Sequence, residues 1–84
     1  MRVQVVNEVR ENEANHGKQW NLCFQWCNYI YDDGSIEQGY RFIWRRPDGS
    51  MQPARGQARI PSIKRAESLI QKAKQQGWGD HEAD

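Results

Sequence analysis

The chain has 84 residues, 37% hydrophobic and 27% charged, with a formal net charge of +1 and a mean hydropathy of −1.04. A chain of this length makes one domain, and it buries only about 60–65% of the surface its unfolded form exposes, so large side chains must fill a thin core; four Trp, three Tyr and two Phe are available. No apolar run approaches the roughly 20 residues of a membrane-spanning helix, and the first residues lack a basic and apolar leader pattern, so a cytoplasmic protein with no membrane partner is expected.

Val3, Val5 and Val9 alternate with polar residues, and β-branched side chains at that period predict a first strand over residues 3–9. Residues 10–18 carry Asn, Gly and charge without an apolar period and predict a loop. The strongest pattern follows: Trp20, Leu22, Phe24, Trp26 and Ile30 occupy alternate positions of a strand over residues 19–31, with Tyr40, Phe42 and Trp44 doing the same over 36–46. Cys23 and Cys27 lie in the first of these. Four strand residues span about 13 Å, beyond the roughly 4.4–6.8 Å between bridged Cα atoms, so both are expected as free thiols.

Two matched turns, Asp32-Asp33-Gly34 and Pro47-Asp48-Gly49, have Gly third, as in a type I turn closed by a residue at positive φ. A three-residue first loop makes paired residues sum to 66, so that Trp26 meets Tyr40, Phe24 meets Phe42 and Leu22 meets Trp44. A two-residue loop would send the two apolar sets to opposite faces. The second turn, treated alike, places Arg46 opposite Ser50 and predicts a fourth strand, with Arg41 opposite Arg55, Glu37 opposite Arg59 and Ile36 opposite Ile60; Pro53 makes it an edge.

Ser62 offers an N-cap to a helix over residues 63–76, in which Ile63, Ala66, Leu69, Ile70 and Ala73 share one face. Gly77 suits the position after its end, and Trp78 can close a Schellman stop onto Ala73. The predicted fold is therefore α+β, an antiparallel meander of three to four strands with one C-terminal helix on one face. Its ordered core is expected to span about residues 19–78, with residues 79–84 a flexible acidic tail.

The helix leaves one sheet face without a layer of its own. The register assigns that face Asn21, Cys23, Gln25 and Tyr29, then Glu37, Arg41, Ile43 and Arg45, then Met51, Arg55, Gln57 and Arg59. The near-zero net charge is an average over unlike segments: residues 41–74 hold nine basic and two acidic side chains, whereas residues 1–40 hold three and six. Arg, Asn and Gln make bidentate contacts to base edges, and further Arg hold phosphates. Arg41, Arg45, Arg55, Arg59, Gln25, Asn21 and Gln57 are accordingly the candidate nucleic-acid-binding residues. The plan resembles that of plant AP2-type and phage-integrase arm-binding domains, which insert an open sheet face into DNA; the resemblance is one of architecture, without the AP2 sequence motifs, and assigns no residue a role.

A different partner is also open. Cys23, Tyr29, Ile43 and Met51 would make an apolar strip through the same face, of the kind that marks a protein contact or homodimer seam, and the Val-rich first strand has an edge that can accept another. Charged and amide side chains also populate a solvated sheet face without any function. No catalytic constellation, cofactor motif or metal-ligand spacing is present: the glycines and aspartates belong to turns, His16 and His81 are far from the cysteines along the chain, and no serine has a His partner in register. The expectation is a non-enzymatic binding domain with no metal or cofactor.

Overall fold

A computed structural model describes residues 1–13, 19–52 and 58–83. Three antiparallel strands, β1 (Arg2–Arg10), β2 (Asn21–Ile30) and β3 (Ile36–Arg45), form one sheet in the order β1-β2-β3, and a single helix, α1 (Ile63–Gln75), follows. The β2–β3 ladder runs from Asn21↔Arg45 to Ile30↔Ile36, the register that sums to 66. Tyr31 N–H donates to Ser35 O at 2.9 Å, Arg46 N–H donates to Ser50 O at 2.8 Å, and the turn glycines Gly34 and Gly49 have φ of 88° and 90°. Both loops thus use the same three-residue geometry. In each, an aspartate (Asp33 or Asp48) accepts the backbone N–H and the hydroxyl of the serine two residues on, which holds its carboxyl below the ordinary range.

The second hairpin is described as far as Gln52. Among the described residues it carries the bridge Arg45↔Met51, extended by Gln52 N–H donating to Trp44 O at 2.9 Å. No fourth strand occurs among the described residues, and residues 58–60 carry no strand. The expected pairing of Glu37 with Arg59 and of Ile36 with Ile60 is therefore absent, while Pro53, Arg55 and Gln57 lie outside the described residues.

β1 departs from simple alternation. Its register with β2 shifts between Val5 and Asn7, so that Val5 meets Cys27 whereas Asn7 meets Trp26. Val6 is the extra residue of a β-bulge, and its side chain is exposed. The consequence is a change of face: Val9, opposite Phe24, joins the helix side and is fully buried, while Val3 and Val5 lie with Tyr29 and Cys27 on the other side. The three valines, predicted to share a face, do not.

α1 starts at Ser62, whose side chain accepts Arg65 N–H at 3.2 Å. It ends in the predicted Schellman stop: Gly77 sits at φ 89°, its N–H donates to Lys74 O, and Trp78 N–H donates to Ala73 O at 3.2 Å. Lys72 and Lys74 in the last turn suit the negative end of the helix dipole. Leu69, Ala73 and Trp78 bury themselves against Val9, Leu22, Phe24 and Trp26, with Tyr40, Phe42 and Trp44 packed around them. Each large side chain so covered contributes roughly 1.5–3 kcal/mol. Phe24 is the hub, with ring centroids at 5.1 Å from Tyr40, 4.7 Å from Phe42 and 5.8 Å from Trp78.

The helix covers less of the sheet than its apolar period implies, because it crosses β1 and β2 rather than β3. Ile63 is 77% exposed and Trp20 49%, although both were expected in the core. Beyond the helix, Tyr40 Oη donates to Trp78 O at 2.7 Å and accepts His81 N–H at 2.8 Å, and His81 stacks on Trp26 at 4.6 Å.

Candidate nucleic-acid interface

The register places β1, β2 and β3 side chains in rows on the face away from α1. Glu8 lies beside Gln25, which lies beside Arg41; Arg10 lies beside Cys23, which lies beside Ile43; Asn21 lies beside Arg45. The middle of this face is closed. Asn21, Cys23, Gln25 and Ile43 are all buried, Gln25 and Cys23 completely. Long charged side chains from the flanking strands fold over the shorter central ones, their apolar stems taking the place of a second layer.

A polar network holds that cover in place. The Glu8 carboxylate receives Arg10 Nε at 2.8 Å on one oxygen, and Arg45 Nε at 2.9 Å and Gln25 Nε2 at 2.5 Å on the other. Gln25 Oε1 accepts Arg41 Nε at 2.8 Å, and the Met51 sulfur lies 3.6 Å from both Gln25 Nε2 and Arg41 Nη2. Arg45 Nη1 donates to Gly49 O at 2.7 Å, which ties the second turn to the cluster. Burial opposes ionisation of Glu8, yet the hydrogen bonds from Arg45, Gln25 and Arg10 outweigh it and hold the carboxyl below its ordinary value of 4.5. Two guanidiniums, Arg10 and Arg45, therefore hold the Glu8 carboxylate and a third, Arg41, holds Gln25, each oriented through its Nε, with Arg10 and Arg45 still 38% and 18% exposed.

The cysteines sit beneath this layer as free, buried thiols. Desolvation pushes the Cys23 thiol up to about 12 and raises that of Cys27 as well, the reverse of what a nucleophile needs. Among the described residues, no group of three His, Cys, Asp or Glu side chains could hold a metal ion, and no helix is long and apolar enough to cross a membrane.

The expected site residues thus separate. Arg41, Arg45 and Gln25 come together, but Gln25 is spent inside the cluster. Asn21 is occupied elsewhere: its Oδ1 accepts Asn12 N–H at 2.9 Å and its Nδ2 donates to Asn12 O at 2.7 Å, pinning the chain after β1. Neither amide is free to read a base edge. Arg59 is not on this face; its carbonyl accepts the Trp44 indole N–H at 2.9 Å on the helix side. Arg55 and Gln57 fall outside the described residues. The apolar strip is interrupted too, since Cys23 and Ile43 are buried while Tyr29 is half-buried and Met51 36% exposed.

Glu8 and Arg10 were missed as site residues. Their signal was the adjacent pair Val5-Val6, which breaks the alternation and marks the bulge that precedes them. Folding also pairs the unlike charge segments: Glu8 takes Arg45, and Glu11 takes Arg65 through two contacts of 2.7 and 2.5 Å. Trp20, Trp44 and Gln52 line a shallow hollow of about 210 Å³. No protein-family model, curated protein or solved structure matches the chain.

Proposed function

We propose that the chain is a non-enzymatic binding domain for nucleic acid, gripping the phosphate backbone with Arg41, Arg45 and Arg10 rather than reading base edges with Asn21 and Gln25. One observation carries this reading: three guanidiniums share one sheet face, Arg10 and Arg45 held by the Glu8 carboxylate and Arg41 by the Gln25 amide oxygen, each oriented through its Nε. A guanidinium has five N–H donors in a planar fork, so anchoring at Nε leaves Nη donors for a phosphate and lowers the entropy lost in binding one. The excess of positive charge in residues 41–74 favours the same class of partner.

Titration of a labelled oligonucleotide by fluorescence anisotropy tests this. Three phosphate contacts predict a fall in affinity of roughly 20- to 40-fold between about 50 and 200 mM salt. Arg41→Ala should weaken binding and lower the slope of log affinity against log salt by about one. Absence of binding at low salt, or a slope unchanged by Arg41→Ala, contradicts the proposal. The competing protein-contact reading has its own signature, a concentration-dependent dimer by light scattering.

A further inference from the structure

We infer that the nucleic acid taken by this domain is single-stranded, with one unstacked base seated in the Trp20–Trp44 hollow; the inference rests on the phosphate-binding reading above. Trp20 immediately precedes β2 and is 49% exposed, a large ring left outside the core in a chain short of core residues. Trp44 is held for contact: its indole N–H donates to Arg59 O at 2.9 Å, and the Arg65 guanidinium stands 5.9 Å from its ring centroid. Arg65 is itself fixed by Glu11. A fixed indole loses little freedom when a second ring stacks on it, and stacking on aromatic side chains is how single strands are bound without a base code.

Charge points to the same occupant. The cation placed at the hollow is Arg65, whose guanidinium stands over the Trp44 ring, while Arg46, just past the Asn21↔Arg45 rung, donates through Nη1 to Ser50 Oγ and Met51 O. The hollow is therefore lined by two indoles and an amide with the Arg65 guanidinium against one indole, complementary to a planar ring on an anionic backbone.

Position excludes the duplex. Met51 touches the guanidinium cluster on one face of the sheet, whereas its neighbour Gln52 lines the hollow on the other. A strand that engages both must turn over the sheet edge at these two residues. Duplex DNA has a persistence length of about 50 nm and does not bend within one sheet thickness, whereas a single strand does. The engaged amides of Asn21 and Gln25 also take the two amide base readers off the arginine face.

The test uses the whole chain, with tryptophan fluorescence and anisotropy recorded against a short oligothymidylate, a duplex of equal length and an acidic peptide of matched charge. The oligothymidylate should quench tryptophan emission and bind at least tenfold tighter than the duplex. Trp20→Ala, at a half-exposed position that should leave the circular dichroism spectrum unchanged, should weaken it by about 5- to 150-fold, the loss of one stacked base. Equal binding of duplex and single strand, with Trp20→Ala silent and Arg41→Ala still weakening both, overturns the base-stacking inference and leaves the arginine grip standing. Equal quenching by the acidic peptide also overturns it. Failure of both nucleic acids to bind at low salt overturns the underlying reading instead.

Discussion

Replacing Glu8 with Gln removes one negative charge from the centre of the arginine cluster while keeping the side chain's length and one acceptor oxygen. Three hydrogen bonds to a charged group converge there, from Arg10, Arg45 and Gln25, and the Glu8 side chain is only 13% exposed. Hydrogen bonds to ionised groups contribute about 1.5–3 kcal/mol each; with one oxygen retained and the arginines partly hydrated, the net loss should be about 2 kcal/mol. In a domain of this size that lowers Tm by roughly 8–16 °C. Because the Glu8 carboxyl is held below 4.5 in the folded state, its contribution is fully present above that ordinary value and is lost as pH falls through the folded-state value. Urea unfolding of the native and E8Q chains should therefore differ at pH 7 and converge in acid, as the native carboxylate itself becomes neutral. The same variant should bind oligonucleotide several-fold tighter at low salt, since the guanidiniums lose their internal counter-charge. A stability difference that persists unchanged in acid, or a loss of affinity in step with the loss of stability, refutes the electrostatic role given to Glu8.

Other changes probe the packing and the thiols. A Cβ at Gly79 would lie 2.8 Å from Lys74 Cα, so Gly79→Ala should cost about 1–3 kcal/mol in urea unfolding by forcing the chain off the helix end. Tyr40→Phe removes the hydroxyl that bonds both Trp78 O and His81 N–H; a loss of about 1–2 kcal/mol is expected, with altered tryptophan emission as Trp78 and the His81 stack on Trp26 loosen. Cys23, with its thiol pushed up to about 12 by burial, should resist a disulfide-exchange reagent at pH 8 in the folded chain and react promptly in urea.

The β2–β3 hairpin and the helix stop were legible because each rests on local chemistry with few solutions. Only a three-residue loop keeps Phe24 opposite Phe42, and only a Gly at position 77 takes positive φ cheaply before Trp78. Two features were hidden for opposite reasons. The bulge at Val6 depends on which of two adjacent valines steps out of the ladder, a choice made by what Phe24 and Cys27 need across the strand. The closed state of the arginine face depends on how far Arg41, Arg45 and Glu8 reach, and strand alternation predicts the side of a residue but not what folds over it. Asn21 and Gln25 were therefore placed on the correct face and mistaken for exposed donors. The unlike charges of the two sequence segments pointed outward to a partner, whereas Glu8–Arg45 and Glu11–Arg65 show part of that charge meeting within the fold.

Chemical-shift mapping of the isotope-labelled chain during addition of oligothymidylate is the most direct measurement of where nucleic acid sits. An arginine grip with a stacked base predicts the largest shifts at Arg10, Arg41, Arg45 and Met51, and in the indole N–H signals of Trp20 and Trp44, with the outer helix residues Glu67, Gln71 and Gln75 unmoved. Shifts confined to the helix, or absent from Arg41 and Arg45 while binding persists, contradict the proposed interface.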